Sequence, residues 1–214
     1  EKRALELEKE LSQSRISIML SQIQPHFLYN SLVGIKQLCD TDPQRASDAL
    51  EHFSYYLRGN LDSLSNTGLI PFEKELDHIE DYLYLEKMRY GERLRIRWEI
   101  GYQDFMLPPL TLQPIVENAV RYGITQKKAG GSLTIRSGQA DGSVVITVVD
   151  DGVGFDISEK KEDGRTHIGL ENVRDRLDAM CGGRLEVKSE IGTGTEIKLI
   201  LPQRRNRVNE NYSG

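Results

Sequence analysis

Val148-Val149-Asp150-Asp151-Gly152-Val153-Gly154-Phe155 decides how most of this chain is read. An apolar run ends on a carboxylate, and two glycines follow at once. A carboxylate at the end of a buried strand is costly unless a donor meets it. The glycines let a flat group approach the backbone closely. Upstream, residues 132–136 and 144–149 alternate as strands, and the Asp141-Gly142 pair between them is a strong hairpin signal. Further upstream, Leu94–Ile100 alternates as a half-buried strand, and Phe72–Tyr90 reads as a helix stopped by Gly91. Pro108-Pro109 is expected to open a helix that runs to about Tyr122 and ends at Gly123. Downstream, residues 151–166 read as a Gly-, Lys- and Asp-rich loop and 168–180 as a helix. Residues 184–189 and 195–201 are strands joined through Gly192-Thr193-Gly194. This pattern predicts helices on one face of a mostly antiparallel sheet.

The N-terminal part has a different period. Ala4, Leu7, Leu11, Ser14, Ile18, Ser21, Pro25, Leu28, Leu32, Ile35 and Cys39 recur at spacings of three and four, a heptad seam weakened at both serines and at Pro25. Asp42 is placed to cap a second helix, with Pro43 at its first position. Ala46, Ala49, Leu50, Phe53, Leu57, Leu61 and Leu64 form the apolar face of that helix, and residues 65–68 end it. Two such helices make an antiparallel hairpin. A hairpin alone buries little, so its stripes predict a homodimer through both helices, a four-helix bundle. The expected division is 1–68 for the hairpin, 69–203 for the α/β part and 204–214 for a disordered tail. The fold class is thus α+β.

The chain has 214 residues and a formal net charge of −5, which disfavours nucleic acid as a partner. Cys39 and Cys181 have no metal-ligand spacing; they fit two at least half-buried thiols in a reducing compartment. No apolar run reaches the roughly 18 residues that span a bilayer. Residues 1–11 read as a helix already under way, as expected of a piece of a longer protein.

Four short segments carry chemistry. In Leu112-Gln113-Pro114-Ile115-Val116-Glu117-Asn118-Ala119-Val120-Arg121-Tyr122-Gly123, helical spacing gathers Asn118, Arg121 and Tyr122. Asn118 offers a neutral oxygen to Mg²⁺, which prefers few protein ligands alongside phosphate oxygens. Arg121 suits phosphate. Asp150 with Gly152 and Gly154 suits an adenine amino group. Gly169-Leu170 is expected at a helix start, where free N–H groups attract anions. Gly194-Thr195 brings amides and a hydroxyl between two strands. Lys160, Lys161 and Arg165 are weaker candidates in the loop. In this order the segments resemble the Bergerat-type α/β sandwich, the ATP-binding domain shared by histidine kinases, Hsp90-type chaperones, type II topoisomerases and mismatch-repair ATPases. The resemblance covers about 72–202. It implies ATP and Mg²⁺, with Asn118 as the metal ligand, Asp150 on adenine, residues 151–166 as a lid, Gly169 with Leu170 on the phosphate side, and Thr195 in the last motif.

Pro25-His26-Phe27-Leu28-Tyr29-Asn30 then narrows the family. Pro25 removes a helical hydrogen bond. His26 follows the seam position and is expected on the bundle's flank, with Asn30 one turn on to hydrogen-bond its ring or an incoming phosphoryl group. This segment resembles the phosphoacceptor box of the LytS/YesM-like subfamily of bacterial sensor histidine kinases, and Pro108 to Ala119 resembles that subfamily's Asn box. The resemblance implies autophosphorylation of His26, a response-regulator aspartate as the next acceptor, and membrane anchoring of the parent protein. Tyr122 stands where that subfamily often has His, and His167-Ile168-Gly169 is reduced from a longer glycine motif. No acidic residue follows His26; Glu117 could take the ring proton, polarise water or orient Asn118. The alternative is an ATP-driven conformational machine of the same ATPase superfamily that makes no phosphohistidine.

Overall fold

In a computed structural model, residues 3, 25–65, 68–156 and 165–202 are described. The expected seam from Ala4 to Ser21, Lys160 and Lys161, the centre of the lid, and the tail lie outside the described residues.

Helices α1 (Pro25–Thr41) and α2 (Pro43–Ser65) form the hairpin. Asp42 caps α2 as its sequence demands: its carboxylate accepts the Arg45 N–H at 3.1 Å. The faces of the hairpin differ from the expected seam. Phe27, Ser31 and Ile35 of α1, and Ala46, Ala49, Phe53, Tyr56 and Asn60 of α2, are buried within the chain. Leu32, Leu50 and Leu61, counted on the seam, are exposed. The reason is a third helix. After the short β1 (Ile70–Pro71), α3 (Phe72–Tyr90) lies along the hairpin and claims one side of it, with Phe27 and Tyr82 rings 5.1 Å apart. Cys39 is exposed, not buried as expected.

The remaining elements are β2 (Leu94–Ile100), β3 (Met106–Leu107), α4 (Gln113–Asn118), β4 (Gly131–Ala140), β5 (Ser143–Asp150), α5 (Arg165–Cys181), β6 (Arg184–Glu190) and β7 (Gly194–Pro202). The main sheet has the order β2-β4-β5-β7-β6. Its pairs are antiparallel except β2 with β4, which run parallel; β1 and β3 form a separate two-stranded ribbon. Asp141 and Gly142 both have positive φ, as a tight two-residue hairpin turn requires. One apolar core runs without a break from Phe27 in the hairpin to Leu201 in the sheet.

Two helix starts differ from expectation. α4 begins at Gln113, not at Pro108, because Leu110 has φ +56° and residues 109–112 are turned and bent, with their backbone held by side chains from elsewhere. α5 begins at Arg165, so Gly169 lies one turn inside the helix. Glycine costs only about 1 kcal/mol in a helix interior and does not force an end. Among the described residues no helix is long and apolar enough to cross a membrane.

Candidate functional site

β5 is the centre of the sheet, and its side chains alternate in burial. Val144, Ile146, Val148 and Asp150 share the buried parity, so strand geometry itself takes the carboxylate into the core. Asp150 is 5% exposed. It accepts the Gly152 N–H at 2.8 Å, and it stands opposite Thr195 in the β5–β7 register. Burial pushes its carboxyl up to about 6, against the pull of the Gly152 and Thr195 amides and of Lys127. A side chain at Gly123 would meet Asp150 Oδ1 at 2.6 Å, and one at Gly152 would meet the Gly123 carbonyl carbon at 2.3 Å. Only glycines let the end of the Asn118 segment close on the end of β5. Gly154 and Gly194 take positive φ against the Glu190 and Asp150 carbonyls. Thr195 Oγ1 is 3.0 Å from Ser189 Oγ.

Asn118 ends α4, and the chain continues through a π turn (Ala119–Gly123) and a 3₁₀ turn (Ile124–Gln126). Such π turns recur at functional sites, because they re-aim side chains without ending the helix. Here the turn exposes Arg121 and Tyr122, with the guanidinium 4.9 Å from the ring centroid. A Cβ on Gly169 would lie 3.8 Å from the Asn118 amide nitrogen, so α5 faces Asn118 across the cradle, and the neighbouring Leu170 is buried in the core. The structure therefore brings together Asn118, Gly169, Asp150, Gly152, Gly154, Gly194 and Thr195. A neutral amide, a buried acceptor and closely packed glycines fit a purine nucleotide with its cation.

His26 lies elsewhere, exposed on α1 as expected of a flank position. The Asn30 amide nitrogen is 3.0 Å from its Nδ1 and 3.3 Å from its Nε2, the contact that the one-turn spacing predicts. The ring opens onto a cavity of about 360 Å³ that Arg121 also lines. Glu117 points another way. It is buried against the hairpin, where its Oε1 accepts Gln113 Nε2–H at 2.7 Å and the Tyr56 hydroxyl at 3.3 Å.

Residues 14–94 match the family model described as histidine kinase, and residues 109–205 match the histidine kinase-, DNA gyrase B- and HSP90-like ATPase model. The YwpD protein of Bacillus subtilis is 36% identical over 87% of this chain and 69% of its own length. This chain belongs to the histidine kinase family. The sensor protein LytS of Bacillus anthracis is 32% identical over 92% of this chain, which spans only 35% of LytS. A solved blue-light activated histidine kinase, EL346 of Erythrobacter litoralis, has the same fold, with a TM-score of 0.50 and 18% identity over 94% of this chain and 59% of its own.

Sequence reasoning missed the residues that fix the kinase's Asn118 segment in place. Glu75 of α3 is buried, and its carboxylate accepts the N–H groups of Leu110, Thr111 and Leu112 at 2.6, 3.1 and 2.9 Å. Burial holds its carboxyl above the usual range despite those donors. Arg176 of α5 donates to the Pro109 and Leu110 carbonyls at 2.6 and 3.0 Å. This clamp satisfies the backbone that a helix starting at Pro108 would have satisfied itself. Glu75→Gln keeps the shape but turns an amide N–H toward a donor. It should lower stability by about 1–2 kcal/mol, read as a shifted urea midpoint at constant slope; an unchanged midpoint would refute the clamp. A second missed group joins α2 to α4. Gln113 Nε2 lies 3.2 Å from Asn60 Oδ1, and Asn60 Nδ2 lies 3.3 Å from His78 Nε2. His78 is buried there, which depresses its ring to about 4 and keeps it neutral.

Proposed function

We propose that this chain is the catalytic core of a sensor histidine kinase, which phosphorylates itself on His26 from Mg-ATP and passes the group to an aspartate of a response regulator. One observation carries the reading: His26 and Arg121 line the same cavity, and Arg121 is one turn beyond Asn118. The acceptor ring and the phosphate end of the nucleotide cradle thus already face one space.

Mg-ATP, when bound, supplies an electrophilic γ-phosphoryl group. The chain's own residues do the rest. Asp150 accepts the adenine amino hydrogen, and Gly152 and Gly154 leave room for the ring. Asn118 ligates Mg²⁺. Arg121 neutralises phosphate charge beside Tyr122, and Gly169, Leu170, Gly194 and Thr195 form the opposite wall. The His26 imidazole would attack the γ-phosphorus with a ring lone pair while Asn30 holds the ring. The N–P bond would form as the P–O bond to ADP breaks, ADP would leave, and the proton remaining on the ring would pass to solvent. In-line positioning and charge neutralisation do most of the work in such transfers. Glu117 belongs to this machinery by its place beside Asn118, and its contacts with Tyr56 and Gln113 favour orienting α4 over reaching His26.

The exposed apolar residues Tyr29, Leu32 and Val33 of α1 and Leu50, Tyr55 and Leu61 of α2 support homodimerisation through the hairpin. The greater length of LytS supports a parent protein anchored in a membrane by a region outside this sequence.

Incubation with γ-labelled Mg-ATP should leave label on the protein that is stable in base and lost in acid, as a P–N bond requires. Release of free phosphate with no protein-bound label would instead support the conformational-machine alternative.

A further inference from the structure

The cavity before His26 has a third wall. Besides His26 from α1 and Arg121, Thr125 and Gln126 from the turns after α4, it is lined by Glu86 and Arg89 of α3. Two arginines therefore line the same cavity of about 360 Å³ as His26. Both lie near aromatic rings: Arg89 is 4.8 Å from the Tyr90 centroid and Arg121 is 4.9 Å from that of Tyr122. The Arg121 backbone is pinned as well, since its carbonyl accepts Thr125 Oγ1–H at 2.9 Å and Gln126 Nε2–H at 3.0 Å. Glu86 is buried and feels both of their charges. Burial pushes its carboxyl up to about 7, Arg89 and Arg121 pull it down, and Glu117 from α4 pushes it further up. The Tyr82 phenol also feels the Glu86 charge. Glu86 is thus easily neutralised, and its two cations can turn to a stronger anion.

We propose that this cavity is the seat of the phosphoryl group once it is on His26, with Arg89 and Arg121 on its oxygens and Glu86 as the anion it displaces. The proposal rests on the reading of His26 as phosphoacceptor but not on the nucleotide cradle. It assigns a role to α3, which contributes nothing to the ATP motifs. Its consequence is chemical. A phosphohistidine loses its group to water after the ring is protonated, when the N–P bond breaks and water takes the phosphoryl group. Two nearby cations disfavour that protonation. The seat therefore sets how long the group survives before transfer.

Potassium phosphoramidate tests this without ATP. A ring nitrogen of His26 forms the new bond to phosphorus, the P–N bond to ammonia breaks, and ammonia carries away the ring proton. The ³¹P resonance absent from His26→Ala identifies the product in the 214-residue chain. Its pH titration in Arg89→Gln and Arg121→Gln should move up by about half a pH unit, the size of a screened charge pair several ångströms apart. Hydrolysis at neutral pH should run about two- to threefold faster in the arginine variants. A midpoint in Arg89→Gln that stays put or falls overturns the seat, as does a His26 ring that phosphoramidate cannot label. Failure of labelling from Mg-ATP alone would instead count against the kinase reading and leave this result standing.

Discussion

Replacing His26 by Gln should abolish protein-bound label from γ-labelled Mg-ATP while leaving nucleotide affinity within about twofold of the parent chain. Glutamine keeps length and polarity but has no nucleophilic ring nitrogen, so the loss isolates the chemical step. Affinity should hold because His26 is on α1 and is none of the residues assigned to the nucleotide cradle. Of the other histidines whose side chains are described, His78 is buried and His52 is engaged by Asp81 at 2.7 Å and stacked on Tyr84 at 3.9 Å. Neither offers a free ring to take over. Asn30→Ala should cost less, about tenfold in rate. The Asn30 amide lies within reach of both ring nitrogens; turned so that its oxygen accepts Nδ1–H, it leaves the Nε2 lone pair free to attack. Label that persists in His26→Gln would place the acceptor elsewhere and remove the basis for the whole proposal.

How much of this was legible in the sequence follows from how far each signal reaches along the chain. Asp42-Pro43, Asp141-Gly142 and Asp150-Asp151-Gly152 state their own local geometry, and each does in the structure what its residue types demand. The His26–Asn30 contact spans one helical turn and could be read from spacing alone. Glu75 could not, because its partners stand 35 to 37 residues further on. The same distance hid the true start of α4: two prolines look like a helix opening until a buried carboxylate is known to hold the next three amides. The parallel β2–β4 pair joins strands separated by the whole of β3 and α4, and no local pattern records such a pairing. How the hairpin's apolar residues are shared out was hidden for a related reason. An apolar stripe shows that a helix face will be covered, but not whether α3 or a second copy covers it. Leu50 and Leu61 are left exposed by α3, while Tyr56 and Asn60, whose polar groups disguised them, are buried under it. Tyr56 is legible only in hindsight, as a large side chain whose hydroxyl has Glu117 and Gln113 within reach.

Asp150→Asn should weaken nucleotide binding by about 10- to 100-fold, the worth of a buried hydrogen bond to a charged acceptor, and should erase its pH dependence. The sign of that dependence follows from burial. In the ligand-free chain the Asp150 carboxyl titrates at about 6, because desolvation disfavours its charge. An adenine amino donor favours the charged form, so binding lowers that value. Affinity should therefore be full above about pH 6 and fall as the pH drops through it, by up to about tenfold per unit. Stability of the ligand-free chain runs the opposite way. A carboxyl raised on folding contributes most when both folded and unfolded forms are protonated, and that contribution is lost as pH rises from the ordinary carboxylate range through about 6. Acid should thus loosen the complex while it relieves the empty cradle. Isothermal titration of ADP with Mg²⁺ at pH 5, 6 and 7.5, beside urea unfolding of the ligand-free chain, measures both trends at once. Affinity that is flat across this range in the parent chain, or equally steep in Asp150→Asn, would mean that another group reads the base.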